Sequence, residues 1–249
     1  MTRRVSLVSG ACAVAIAAAP AAAQTADWDF ALSPYGWLPG VSTSTETGRG
    51  RIDVNTGASD AIADLDFAFM GAFEARKGRW GLILDLIHAD IGSSKDTPLG
   101  ALWSEAKVDT SLTAFTVYAS YRAVETERGS LDLLGGARSY WLDLGLSLEP
   151  GRLPGRSQDF SDDWADPVLG LRGRYAFDES WFATALVDTG GFGGGSDQSW
   201  QGFASVGYQV DPRWSVQGGW RHLAVEKAVA GTEVKVDLSG PIFGFTVRF

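Results

Sequence analysis

Apolar and polar residues alternate along most of the chain. In the stretch WGLILDLIH, residues 80–88, Trp80, Leu82, Leu84, Leu86 and His88 fall on one face of an extended strand. In WQGFASVGY, residues 200–208, Trp200, Gly202, Ala204, Val206 and Tyr208 share a face. In RWSVQGGWRHL, Trp214, Val216, Gly218, Trp220 and His222 point one way, and Ser215, Gln217, Gly219 and Arg221 the other. A period of two predicts strands. Ten such runs are visible, at 28–38, 65–76, 80–91, 106–122, 130–146, 165–177, 181–190, 199–210, 213–223 and 235–249.

The connections alternate in length. Short polar turns at Lys77 to Arg79, Asp178–Glu179 and Asp211–Pro212, and a slightly longer one at Glu125 to Gly129, separate five longer connections at 39–64, 92–105, 147–164, 191–198 and 224–234. Short turns on one side and long loops on the other mark an up-and-down barrel that crosses an outer membrane. The expected fold is therefore all-β, an antiparallel transmembrane β-barrel of ten strands. A count of eight follows if the first run or the Gly-rich hairpin is read differently. The stretch ASDAIADLD, residues 58–66, reads as a short helix in the first long loop, capping the barrel mouth.

The two faces have different chemistry. The apolar face carries aromatic or amphipathic residues about eight positions apart, which on a tilted strand is roughly 20 Å, the height of a lipid-facing band with its girdles. Trp80, Trp200, Tyr208, Trp214 and Trp220 are the expected girdle residues. The opposite face carries Asp66, Glu74, Arg76, Asp85, Arg122, Asp132, Arg138, Arg172, Arg174, Asp188, Arg221 and Arg248. A soluble sandwich would make that face its apolar core. Here charges point inward, which favours a membrane barrel.

Bulk properties sharpen this picture. Of 249 residues, 31 are Gly, 10 are Trp and 12% are aromatic, a composition of strands and turns. After the N-terminus no apolar stretch is long enough for a membrane helix. Residues 1–23 differ: MTRR supplies two positive charges, an apolar small-residue run follows, and Ala21 to Ala23 give an Ala-x-Ala end. This is a secretory signal peptide, cleaved before Gln24, with the barrel domain occupying 24–249. Arg3–Arg4 lack the context of a twin-arginine route. The one cysteine, Cys12, leaves with the signal, so the mature chain has no disulfide framework. Cleavage removes two arginines and no acid, and the net charge moves from −9 to −11. Such a chain is a poor partner for nucleic acid.

The final stretch GPIFGFTVRF continues the alternation: Phe243, Phe245, Val247 and Phe249 for lipid, Gly244, Thr246 and Arg248 for the lumen. Backbone groups in a membrane must all be hydrogen-bonded, so this run is expected to pair with the first and close the barrel. A terminal strand of this kind resembles the signal of Gram-negative outer-membrane barrels read by the barrel-assembly machinery, with Phe245, Val247 and Phe249 as its apolar positions. FEARKGRWGL, DPVLGLRGRY, GGFGGGSDQSWQ and GWRHL are similar to segments of small outer-membrane β-barrel proteins of proteobacteria, a likeness that runs from about Leu65 to Phe249. The resemblance implies a barrel and a location, the cell outer membrane. It brings no catalytic or binding residues.

Four groups of residues could carry chemistry. The first is the inward set Glu74, Asp85, Arg138, Arg172, Arg174, Asp188 and Arg221, read either as the lining of a narrow anion-preferring pore or as a paired network filling the lumen. Arg138, Asp188 and Arg221 fall at similar heights and are expected in one network. The second is the histidines, with His88 near Asp90, Ser93 and Ser94. Both His88 and His222 share parity with lipid-facing residues, which favours interfacial girdle positions over a triad. The third is DFSDDWAD, where Asp159, Asp162, Asp163 and Asp166 read as a solvated acidic loop and otherwise as oxygen ligands for a divalent ion. The fourth, GGFGGGSD, lacks the Lys-Ser/Thr signature of a phosphate loop and reads as a hairpin tip. No metal site and no cofactor is expected.

The expected function is non-catalytic: an integral outer-membrane barrel with an envelope or surface role, extended by narrow solute permeation. The alternative is an outer-membrane enzyme, a lipid A or peptide hydrolase acting at the outer rim. Expected partners are outer-membrane lipid, lipopolysaccharide and the barrel-assembly machinery, with the chain a monomer.

Overall fold

A computed structural model describes residues 27–47, 50–57, 65–96, 103–151, 153–193, 195–229 and 232–249. The expected signal peptide, residues 1–23, lies outside the described residues, as does most of the expected helix, at 58–64. Its last two positions, Leu65 and Asp66, already belong to a strand.

Among the described residues, twelve strands make one antiparallel sheet. They are β1 Trp28–Trp37, β2 Gly40–Thr47, β3 Gly50–Thr56, β4 Leu65–Lys77, β5 Trp80–Asp96, β6 Trp103–Glu125, β7 Gly129–Pro150, β8 Arg156–Ala176, β9 Trp181–Gly190, β10 Gln198–Gln209, β11 Trp214–Val229 and β12 Thr232–Arg248. Strand β1 pairs with both β4 and β12, which closes a barrel of ten strands. The ring is completed with Phe30 and Phe249 exchanging backbone hydrogen bonds of 3.1 and 3.0 Å. Closure removes every sheet edge from the membrane zone, where an open edge would leave polar groups unpaired.

The described part of the first long connection is a pair of strands. After a break at Leu38–Pro39 the chain runs on as β2 along the outer half of β12, with Val41 opposite Leu238, and β3 returns along β2. Pro39 has no N–H to give the ladder, so the break falls there. Three other expected loops are largely strand. Residues 92–96, 103–105, 147–150, 156–164, 224–229 and 232–234 all sit in the sheet. Residues 159–166 are thus part of β8 and not an acidic loop.

The physical reason is a change of surroundings along each strand. On β6 the outward residues are Tyr121, Ala119, Val117 and Phe115, then Thr113, Ser111, Asp109 and Lys107. On β7 they pass from Leu131, Leu133 and Trp141 to Asp143, Gly145 and Ser147. On β12 they pass from Phe245, Phe243 and Pro241 to Ser239, Asp237 and Lys235. The inward faces change oppositely, from Arg122 and Ser120 to Leu112 and Val108 on β6, and from Asp132 and Arg138 to Leu142 and Leu144 on β7. One end of the barrel is dressed for lipid and the other for water. On β6, the ten or so residues beyond this boundary project roughly 25 Å at the usual rise and tilt.

The short turns are tied into one ring. The carbonyls of Arg79, Arg128, Ser180 and Arg213 accept from the N–H groups of Arg122, Ala176, Gln209 and Arg248 on the neighbouring strands, at 2.8, 2.6, 2.7 and 2.9 Å. Asp178 and Asp211 each accept two backbone N–H groups across their turns, ending at Trp181 and Trp214.

Candidate functional site: the barrel lumen

Every strand of the ring places alternate side chains in the lumen, and those inside the membrane zone form two polar layers. The layer nearer the turns is built by β4, β6, β7 and β8. Arg172 holds both Glu74 oxygens at 2.8 Å and Asp132 at 2.7 Å. Arg76 reaches Glu74 and Asp132 at 3.0 Å each. Arg122 adds a 2.8 Å bond to Asp132 and a 3.1 Å bond to Glu125. Three guanidiniums therefore face three carboxylates, a balanced array of charge-assisted bonds.

The second layer lies deeper and spans seven strands. Arg138 on β7 donates to Asp188 on β9 at 2.8 Å and to Thr116 on β6 at 3.0 Å. Tyr118 donates to the same Asp188 oxygen at 2.7 Å, and Gln201 on β10 at 3.1 Å. The carbonyl oxygen of Gln201 accepts from Arg221 on β11 at 2.6 and 3.1 Å. Arg221 also holds Asp85 on β5 at 2.6 Å and Tyr35 on β1 at 2.8 Å, and Tyr35 donates to Asp85 at 2.6 Å. The structure thus brings Arg138, Asp188 and Arg221 into one network, with Gln201 as the bridge.

Above this layer the inward side chains turn apolar. Trp37, Ile87, Ala114, Tyr140, Leu223 and Ile242 form a cluster, and Met70, Trp164, Val225 and Leu238 pack on it. Tyr140 and Trp164 stack with ring centroids 4.9 Å apart. Lys227 crosses from β11 to β8, where it sits 3.8 Å from the Trp164 ring and pairs with Asp162 at 2.6 Å. Accessibility falls to 1% for Arg138, 2% for Tyr118 and 4% for Arg221, against 3% for Trp37 and Tyr140. Charged layer and apolar layer together fill the cross-section.

Two of the inward arginines join neither layer. Arg174 lies 3.5 Å over the Phe182 ring, and Arg248 donates to Gln209 at 3.1 Å. Among the described residues neither makes an ion pair. Both line a cavity of about 650 Å³ between the turn-side mouth and the deeper layer.

The aromatic girdle residues Trp80, Trp200, Tyr208, Trp214 and Trp220 are all exposed on the outward face. Trp80 meets Tyr121 at 4.9 Å, Tyr208 meets Trp181 at 5.1 Å, and Trp214 meets Phe245 at 5.8 Å. Phe245 and Val247 lie outward on β12, and Phe249, just past its end, is exposed. The histidines are outward as well, at the boundary where lipid gives way to water. His88 contacts Thr113 Oγ1 at 2.8 Å and Asp90 at 3.4 Å. His222 stacks on Trp200 at 4.4 Å, with Asp237 at 3.6 Å. The side chains of Ser93 and Ser94 lie outside the described residues. Asp159, Asp162, Asp163 and Asp166 do not converge: Asp159 and Asp163 face out, Asp162 takes Lys227, and Asp166 accepts the Ser196 N–H at 2.7 Å. The Gly-rich stretch is a hairpin tip, with Gly191, Phe192 and Gly193 at φ of 96°, 45° and 75°.

Sequence reasoning missed Tyr35, Thr116, Tyr118 and Gln201. Their inward parity with Ser33, Ser120 and Arg122 was the available signal, but a neutral side chain on the lumen face does not announce itself as part of a charge network.

No protein-family model and no curated protein sequence matches the chain. Solved structures do. The outer membrane protease OmpT of Escherichia coli superposes with a TM-score of 0.62 at 13% identity, over 90% of this chain and 98% of that one. The fold is that of a Gram-negative outer-membrane β-barrel. The transport unit of the autotransporter AIDA-I from Escherichia coli (TM-score 0.43, 8% identity, 91% of each chain) and Ail of Yersinia pestis (TM-score 0.37, 11% identity, 89% of this chain and 98% of that one) are more distant barrels. Together with the lipid-dressed outer face, the fold places the chain in the cell outer membrane. The short turns then lie on the periplasmic side and the projecting strands outside the cell.

Proposed function

We propose that the protein is a closed, non-catalytic surface barrel. It anchors a rigid strand-built projection in the outer membrane and conducts no solute. The observation that carries this reading is the mid-barrel lock: seven strands tied by the Arg138–Asp188–Gln201–Arg221–Asp85 chain with Tyr118 and Tyr35, roofed by the Trp37–Tyr140 layer, with its key side chains almost inaccessible. A pore needs weakly held, wet groups along its axis, and these groups are held by each other. The projection presents Asp109, Asp143, Asp159 and Asp163 outward, so its surface suits contact with cationic partners, or with lipopolysaccharide through divalent ions. Proteoliposomes carrying the protein are expected not to swell in small sugars or amino acids. Swelling at the rate of a general porin would refute the closed reading.

A second reading rests on Thr113, His88 and Asp90. A hydroxyl, an imidazole and a carboxylate lie in sequence at the outer lipid boundary, the residue types of a nucleophile, its base and an orienting acid. The substrate would be a lipid or a peptide at the membrane surface. Hydrolysis by purified protein that is lost in His88→Ala and Thr113→Ala would establish it, and turnover that survives both would dispose of it.

A further inference from the structure

We propose that the periplasmic half of the lumen is a binding site for a small organic anion, one carrying a carboxylate or phosphate on an apolar body. The cavity there holds about 650 Å³, inside the range of small-molecule sites. Its roof is the deep layer, so a ligand enters from the periplasm and stops.

The charges around the cavity decide the sign of the ligand. Arg76, Arg122 and Arg172 are matched by Glu74, Asp132 and Glu125, and Arg221 by Asp85. Arg174 and Arg248 remain. Facing them without an ion pair among the described residues are Asp29 and the main-chain carboxylate of Phe249, both at the mouth. Arg174 is held against the Phe182 ring instead of folding onto an acid. Two guanidiniums without an ion pair, in a half-enclosed space of low dielectric, offer charged donors to an anion inside a chain of net charge −9. Their planar forks suit carboxylate and phosphate oxygens.

The wall decides the rest of the ligand. Ile83, Leu186, Phe203 and Ile242 line the same space as the arginines. An ion with an apolar or aromatic body would cover these and exclude water from the ion pair. A bare inorganic anion would use only half of the site.

The inference stands apart from the closed-lumen reading, because binding is read at equilibrium and permeation as flux. The test is calorimetric titration of the purified full-length barrel with phenylphosphate, benzoate and benzylamine. Both anions are expected to bind saturably and the amine not at all. Arg174→Gln and Arg248→Gln should each weaken phenylphosphate about tenfold, the scale of one charge-assisted contact. Arg213→Gln, on an exposed turn, should leave binding unchanged. Absence of saturable binding of either anion at millimolar concentration would overturn the proposal, as would equal affinity in the Arg174 and Arg248 variants. If either variant fails to fold, the wild type still decides. Phenylphosphate displaced by inorganic phosphate supports the site, and phenylphosphate indifferent to it overturns the site.

Discussion

Arg138 Nη2 and Asp188 Oδ2 lie 2.8 Å apart across the lumen, with side-chain exposures of 1% and 0%. The same carboxylate oxygen takes Tyr118 and Gln201, so three donors from three strands converge on one atom. Removing one member of such a pair strands the other charge in a dry interior. Arg138→Ala or Asp188→Ala should each cost about 3–5 kcal/mol of stability. The double variant should cost clearly less than the two together, with a coupling of about 0.5–3 kcal/mol. Urea midpoints for folding into lipid vesicles measure all three. Additive losses would mean that the two side chains do not act as a pair.

The change of dress along β8 makes a second prediction. Leu171 and Asp163 both point outward on that strand, eight residues apart. Leu171→Arg places a charge in the lipid band and should cost about 2–4 kcal/mol. Asp163→Arg, in water beyond the boundary, should stay within about 0.5 kcal/mol. Equal costs would put the membrane boundary elsewhere.

Close packing of β6 against β7 makes a third. A Cβ on Gly136 would overlap the backbone carbonyl of Val117, whereas one on Gly173, outward on β8, meets nothing within 4 Å. Gly136→Ala should therefore destabilise by about 1–3 kcal/mol through overpacking, and Gly173→Ala should be tolerated. The same urea midpoints compare them.

The turns carry a pH dependence. The N–H groups of Trp181 and Ser180, in that order of effect, hold the Asp178 carboxyl below the usual carboxylate range. A group with a depressed folded pKa contributes stability above its unfolded value, near 3.9 for Asp. It loses that contribution as pH falls through the folded value. Asp178→Asn should lower stability at neutral pH, where the carboxylate contribution is complete, and flatten the stability profile in this acid window. An effect of this variant confined to alkaline pH would contradict the turn geometry.

Much of the fold was legible in the sequence because a membrane barrel writes its faces at a period of two. Trp80 to His88 and Trp214 to His222 show which face is outward, and the run from Phe243 to Phe249 shows the closing strand. The outer strands were less legible for a physical reason. At Thr113, Asp143 and Ser239 lipid gives way to water and the polarity of each face reverses, so unbroken strands looked like loops. The hairpin of β2 and β3 was hidden in the same way, since its polar residues carry no lipid-facing alternation. Of the lumen, the charged residues could be named. Their pairing could not, because the stagger between neighbouring strands decides which inward side chains share a height, and Gln201 joins two ion pairs on strands far apart in the chain.

In the proposed closed barrel the deep layer seals the lumen. Single-channel recording in planar lipid bilayers tests it most directly, using wild type beside a variant carrying both Arg138→Ala and Arg221→Ala. The wild type is expected to give no conductance steps at either polarity. If the double variant folds, it should open brief events as water enters the emptied layer. Stable, uniform steps from the wild-type protein, altered in size by the arginine substitutions, would contradict the closed barrel and establish a pore in its place.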